Sequence, residues 1–129
     1  MASKAHSNKA LPLPKQGQIW LIKFPPTKED RKPIRPCLVI SDNIQNEYGK
    51  WIVVIPLTTE DIENIEPFEV FVKNTLETGL DEPSKICCNY IHTVNKKLRL
   101  VDKKRLGVAS PEIMEKVKKA LKITFDLGN

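Results

Sequence analysis

Residues 51–57 read Trp-Ile-Val-Val-Ile-Pro-Leu and form the most apolar run of the chain. A run of this length suits a buried strand, because strands usually span about 3–10 residues and helices are longer. We therefore predict a central strand here. Pro56 has no amide hydrogen to donate, so we also predict that strand pairing breaks near it, at a bulge or an edge.

Apolar runs on both sides of this segment predict further strands. They span residues 17–24, 37–41, 68–72 and 85–91. Residues 42–50 predict a turn or a single helical turn, and residues 92–105 predict a basic, hairpin-like segment. Short strands that follow one another without long helices favour a small barrel or a strongly curved sheet.

The end of the chain has the period of an amphipathic helix. The apolar residues that recur at every fourth position are Ile113, Val117, Leu121 and Phe125. Ser110 suits the N-cap, Pro111 suits the first helical position, and Gly128 is predicted to close the helix. The predicted fold is thus mainly β (α+β), with five to six short strands and one C-terminal helix packed on them.

Length and composition indicate one domain behind a short leader. The chain has 129 residues, of which 40% are hydrophobic and 29% charged, as in ordinary globular proteins. Residues 1–15 predict a flexible leader, and residues 16–129 predict a single domain. We expect a cytoplasmic protein, because the sequence shows neither a secretory signal nor the ~20-residue apolar stretch of a membrane helix.

Cysteine and histidine usage argues against a disulfide scaffold and a metal site. The chain has three cysteines, and Cys87 and Cys88 are adjacent, which fits a reducing compartment. These two are predicted to be small buried hydrophobes rather than nucleophiles. With two histidines, no CxxC or HxxxH spacing and no glycine-rich phosphate loop, we predict no metal and no cofactor.

Charge is distributed in blocks. The net charge is +5, but residues 61–84 carry seven acidic and one basic side chain, whereas residues 85–106 carry seven basic and one acidic. A basic block attracts polyanions, and a solvated, alternating surface is the alternative interpretation. In the acidic block, Glu63, Glu66 and Glu69 have no evident partners and are predicted to be solvated.

Arg35 directly precedes an apolar strand, at a place where binding groups often lie. A guanidinium there could bind a phosphate through two parallel hydrogen bonds. The alternative is a surface arginine that pairs with Asp30 or Glu29.

Three more polar residues follow strands. Thr58 and Thr59 end the central strand, where a hydroxyl can donate to a phosphate oxygen, although threonine also favours strands on propensity alone. His92 has a pKa range suited to proton transfer, whereas a lone histidine can equally be structural.

The order of several motifs resembles the MazF/PemK (Kid) family of toxins from bacterial toxin–antitoxin modules. The resemblance covers about residues 16–127. It rests on Gly-Gln-Ile-Trp at 17–20, Pro-Thr-Lys followed by Arg-Pro-x-x-Val within 26–40, Pro-x-Thr-Thr at 56–59, Ile-x-Thr-Val at 91–94, and the C-terminal helix.

The resemblance implies an SH3-like β-barrel that acts as a homodimer and is inhibited by a cognate antitoxin. It also implies a metal-independent endoribonuclease that cleaves single-stranded RNA at specific sequences. In that reaction the 2′-hydroxyl attacks the adjacent phosphate and leaves a 2′,3′-cyclic phosphate and a 5′-hydroxyl.

The resemblance also implies roles for individual residues. Arg35 would stabilise the transition state, Thr58 would contact the phosphate, and His92 would supply a titratable group. The expected RNA-binding residues are Lys28, Asp30, Lys32, Thr59, Asn89 and Tyr90. Tyr48, Trp51 and Tyr90 are candidates for base stacking, with core packing as the alternative for Trp51.

Two departures from the family pattern keep a second function open. Cys87 and Asn89 stand where PemK-type members use an arginine and an aspartate with acid–base roles. The alternative is therefore a catalytically degenerate protein that binds RNA or gyrase without cutting. A plain SH3-like interaction module is a third possibility.

Overall fold

A computed structural model describes residues 13–27, 34–102 and 104–128. In these ranges it has seven strands and three helices. In chain order they are β1 (Gln18–Lys23), β2 (Ile34–Val39), α1 (Asn43–Tyr48), β3 (Trp51–Thr58), β4 (Glu69–Val72), β5 (Ser84–Cys87), β6 (His92–Asn95), α2 (Lys96–Arg99), β7 (Gly107–Val108) and α3 (Pro111–Phe125). The predicted mainly β fold with a C-terminal helix is confirmed. The two-residue β7 was not predicted.

The strands form one antiparallel sheet in the order β4-β5-β3-β2-β1-β7, with β6 also paired to β3. On one side of β3, residues 51–54 pair with β6 and residues 57–58 pair with β5. Pro56 lies between these two ladders. The predicted break in pairing therefore occurs on this side alone, because on the other side Pro56 pairs with Cys37 of β2, and the position is not an edge of the sheet.

Apolar side chains cover both faces of the sheet. Successive side chains of a strand point to opposite faces, so Val54 and Ile55 belong to different cores. The helix-side core includes Ile19, Leu38, Ile55, Leu57, Ile86, Val117 and Ala120. The opposite-side core consists of Trp20, Ile22, Cys37, Val39, Ile52, Val54, Val94 and Leu100.

Helix α3 begins as predicted and ends earlier than predicted. The Ser110 hydroxyl accepts a hydrogen bond from the Ile113 amide at 3.2 Å, and Pro111 opens the helix. At the other end Asp126, not Gly128, adopts the left-handed conformation, with a φ of 52°. Aspartate tolerates this conformation better than most residues, and its amide donates to the Ile123 carbonyl at 3.1 Å.

The predicted hairpin over residues 92–105 is wrong. After β6 the Asn95 side chain accepts hydrogen bonds from the amides of Lys97 and Leu98, both at 3.0 Å, and caps the short helix α2. Leu100 then forms a bridge with Ile22 of β1. The segment therefore crosses from β3 to β1 instead of folding back on itself.

Two other predicted boundaries are affected by the structure. The strand predicted over 85–91 ends at Cys87, where the Tyr90 amide donates to the Cys87 carbonyl at 2.9 Å and closes a turn. In the predicted leader, Pro14 is buried, and residues 1–12 lie outside the described ranges. In the part of the chain that the structure describes, no helix is long and apolar enough to cross a membrane.

We predict that Ile55→Ala lowers the free energy of unfolding by about 2–5 kcal/mol, because truncating this fully buried side chain leaves a cavity. Ile44→Ala is a matched control: Ile44 is 74% exposed, and its truncation should cost about 0.5 kcal/mol or less. Urea denaturation followed by circular dichroism measures both. Equal losses in the two variants would contradict the core described above.

Candidate active site

Arg35 and Thr58 are neighbours across two strands. The register of β2 and β3 pairs Cys37 with Pro56, and two residues further along it places Arg35 opposite Thr58. Both side chains are half-buried and line a cavity of about 160 Å³. The remaining lining residues are Ile34, Pro36, Leu57, Thr59, Glu60 and Ser84. The structure thus brings together Arg35, Thr58 and Thr59, three of the candidate residues named from the sequence.

Thr58 is oriented by the segment that follows it. Its hydroxyl oxygen accepts a hydrogen bond from the Glu60 amide at 3.1 Å. A threonine hydroxyl can accept and donate at the same time. The amide of Glu60 occupies one acceptor site of this oxygen and leaves the hydroxyl proton able to be donated to an oxygen in the cavity.

His92 lies on the same face of the sheet as Arg35. It pairs with Val54 of the opposite-side core, and Arg35 precedes Cys37 of that core by two residues. The ring centroid of His92 is 4.9 Å from that of Phe24. Burial and the charge of Arg35 both lower the pKa of His92. More of the imidazole is therefore neutral at pH 7, which is the form that accepts a proton.

The three thiols are protonated and buried. Burial raises the pKa of Cys37, and it raises the pKa of Cys88 to about 12. Burial and the charge of Glu69 raise the pKa of Cys87, against the opposing influence of Lys85 and Arg35. A thiol with a raised pKa is a poor nucleophile. The prediction that Cys87 and Cys88 are buried hydrophobes is confirmed.

Two of the other predicted RNA-binding residues, Asn89 and Tyr90, are not at this cavity. Asn89 and Tyr90 are exposed in the turn after β5, and neither lines the cavity. Lys28, Asp30 and Lys32 lie outside the described residues.

The two remaining stacking candidates are at the far end of β3 from Thr58. Trp51 is the first residue of that strand and is 52% exposed, so the alternative that it packs in the core is wrong. Tyr48, at the end of α1, is 79% exposed. Both rings are accessible to a partner.

Sequence reasoning missed a buried ion pair beside the cavity. Glu69 was expected to be solvated, but its carboxylate is 3.0 Å from the Lys85 ammonium, and the two side chains are 10% and 7% exposed. Ser84, which was not predicted as a site residue either, lines the cavity and donates its hydroxyl to the Glu82 carbonyl at 3.0 Å. The available signal for the ion pair was that Glu69 and Lys85 are the single charged residues of the predicted strands 68–72 and 85–91.

In the described ranges, no group of three or more His, Cys, Asp or Glu side chains is arranged to hold a metal ion. The polar side chains that line the cavity are instead a guanidinium, hydroxyls and the carboxylate of Glu60, and His92, which does not line it, lies on the same face of the sheet as Arg35. Such groups can bind a phosphate, neutralise its charge and accept a proton.

We compared the chain with known protein families. The model of the PemK-like, MazF-like toxin of type II toxin–antitoxin systems matches residues 15–125. The chain belongs to this family. The resemblance found in the sequence motifs is therefore confirmed.

Among curated proteins, this MazF-like toxin is similar to the endoribonuclease EndoA of Bacillus subtilis (strain 168). The two are 28% identical over 114 residues, which cover 88% of this chain and 95% of EndoA.

Solved structures show the same fold. One is an endoribonuclease in complex with its cognate antitoxin from a Mycobacterial species, with a TM-score of 0.72 and 22% identity over 90% of this chain and 98% of that one. Another is MazF from Deinococcus radiodurans, with a TM-score of 0.69 and 19% identity over 88% of this chain and 97% of that one.

We predict that Arg35→Met raises the pKa of His92 towards its ordinary value of about 6.5. The substitution removes one of the two influences that lower this pKa and leaves burial, the larger one, in place. NMR titration of the imidazole measures the shift, and a His6→Gln background leaves a single histidine signal. An unchanged or lower pKa in the variant would show that Arg35 does not act on His92.

Proposed function

We propose that this MazF-like toxin is an endoribonuclease that cleaves single-stranded RNA at the cavity between Arg35 and Thr58. The observation that carries the proposal is the placement of these two side chains opposite each other in one cavity. Family membership and the similarity to EndoA, an endoribonuclease, supply the reaction class.

The substrate brings its own nucleophile. The 2′-hydroxyl oxygen attacks the adjacent phosphorus, the bond from phosphorus to the 5′-oxygen breaks, and the products carry a 2′,3′-cyclic phosphate and a 5′-hydroxyl. The neutral imidazole of His92 accepts the proton of the 2′-hydroxyl. The leaving 5′-oxygen takes up a proton from water. No covalent bond to the protein forms at any stage.

Arg35 and Thr58 stabilise the charge that builds up on the phosphate oxygens. The planar guanidinium of Arg35 can donate two parallel hydrogen bonds to them, and the Thr58 hydroxyl can donate a third. Because these donors are held by strands, they need little reorganisation when the charge develops. The cavity is small, so it holds the phosphate and leaves the bases to the surrounding surface.

The surrounding surface would hold the RNA and select its sequence. Thr59 is exposed at the cavity, and Tyr90 is 58% exposed, so its ring can stack on an unpaired base. Asn89 is exposed beside it and can read a base edge. We also propose that Lys28, Asp30 and Lys32, which lie outside the described residues, contact the RNA.

We further propose that this chain works as a homodimer and is inhibited by a cognate antitoxin. The solved structure from the Mycobacterial species contains an endoribonuclease with its antitoxin. We propose the cytoplasm as its location, in keeping with three unpaired thiols, and residues 16–129 as its single domain.

The competing function is a degenerate toxin that binds RNA or gyrase without cutting. The observation that favours it is the chemistry at Cys87 and Asn89. A buried, protonated thiol carries no charge, and an asparagine cannot transfer a proton. An SH3-like interaction module would likewise leave RNA intact.

The test is incubation of the purified protein with a long unstructured RNA in the presence of EDTA, followed by mapping of the product ends. We expect discrete cuts with 5′-hydroxyl and 2′,3′-cyclic phosphate ends. Arg35→Ala should slow cleavage by about 10²–10³-fold, because a donor to the developing charge is lost. Thr58→Val, which keeps the shape and removes the hydroxyl, should also slow it.

Lys122→Ala is the control, because Lys122 is an exposed cation on α3, outside the basic block of residues 85–106 and not at the cavity. This variant should cut at the wild-type rate. Intact RNA at high enzyme excess would favour the degenerate toxin. Cleavage at the wild-type rate by Arg35→Ala would show that this cavity is not the active site.

A further inference from the structure

The ammonium of Lys85, which forms the ion pair with Glu69, has an acceptor for each of its three protons. Besides the Glu69 carboxylate, the Lys85 ammonium donates to the carbonyl of Asp61 at 3.0 Å and to that of Asn64 at 3.1 Å. An ammonium has three protons, so these three acceptors satisfy it. The same Glu69 oxygen also accepts from the Glu66 amide at 3.0 Å.

These bonds hold the turn formed by residues 61–64. Asp61 has a φ of 51°, in the left-handed region that aspartate tolerates better than most residues. The Asn64 amide closes the turn by donating to the Asp61 carbonyl at 3.2 Å, at the long end of the ordinary range. The ammonium of Lys85 binds the carbonyls of the first and last residues of this turn and so adds two further hydrogen bonds that hold it.

The turn and Lys85 each lie next in the chain to residues that line the cavity. Residues 58–60 line the cavity and lead directly into the turn, while Ser84, which also lines it, precedes Lys85. In the sheet, Lys85 is the register partner of Thr58. Lys85 therefore ties the turn that follows Thr58 to β5, the strand that pairs with Thr58.

Fold stability is a weak reason for such a pair. Replacing a buried ion pair by apolar side chains is often neutral or stabilising, because two charges no longer have to be removed from water. Burial alone lowers the pKa of Lys85, but the hydrogen bond and charge of Glu69 outweigh burial and raise it. The ammonium therefore stays charged and can hold the turn at every physiological pH.

We propose that Lys85 and Glu69 are positioning residues for RNA cleavage, which hold the Thr58–Glu60 wall of the cavity in the geometry that the reaction needs. The inference rests on the proposed endoribonuclease function. It assigns to this pair no contact with RNA. The ion pair acts on the reaction indirectly, because it holds the turn and the turn holds Thr58 in place.

The test compares single and double variants. Lys85→Met removes the ammonium and keeps the length of the side chain, and the double variant Lys85→Met/Glu69→Leu also removes the carboxylate that would remain buried. We expect the single variant to lose stability and the double variant to regain it. In both, kcat should fall about 10–100-fold with KM within about threefold, because misplacing a catalytic group by 1 Å can cost that much.

Amide hydrogen exchange of residues 59–66 supplies an independent measurement. Exchange should become faster in both variants, because the turn has lost its ammonium. The matched control is Lys118→Met/Glu115→Leu, which removes an exposed ion pair of 3.2 Å on α3. The control should change neither the exchange of residues 59–66 nor kcat.

The possible outcomes separate the two proposals. A double variant that regains both stability and kcat would overturn the positioning role, as would unchanged exchange of residues 59–66. If the single variant does not fold, the double variant alone decides. If the wild-type protein cleaves no RNA, the proposed function fails and the catalytic role of the pair fails with it. Even then, the exchange data still report whether the pair orders the turn.

Discussion

The candidate site depends on how β3 divides its backbone among three neighbouring strands. Its first half pairs with β6, its middle with β2 and its last two residues with β5. Pro56, which has no amide hydrogen, lies where one partner gives way to the next. Because of this change, the end of β3 lies between β2 and β5. Thr58 of β3, Arg35 of β2 and Ser84 of β5 therefore line the same cavity.

Two cations on the strands that flank β3 have opposite environments. Arg35 lines the cavity and is half-buried, so its planar group can reach a phosphate. Lys85 is buried and surrounded by three oxygens that match its three protons. Arginine suits recognition of an extended anion, and lysine suits a compact cluster of carbonyls. The sheet therefore separates a charge that lines the cavity from a charge used for local order.

The sequence predicted the parts of this molecule that local pattern determines. Apolar runs placed five of the strands, the four-residue period placed α3, and the motifs around Arg35 and Thr58 contained residues that line the cavity. The crossing after β6 was missed because Asn95 was not recognised as a helix cap. The ion pair was missed for a different reason. It joins residues that are diagonal neighbours in the β4–β5 register, and no spacing along the chain reveals that register.

The pairing of Lys85 with Glu69 also constrains how this protein can evolve. Loss of either residue alone leaves the other charge buried and unmatched, which a small domain tolerates poorly. Loss of both together avoids that penalty but releases the turn. The two positions therefore form an epistatic unit. Homologues should carry both charges or neither, and lineages that lack them must order the segment after Thr58 by other means.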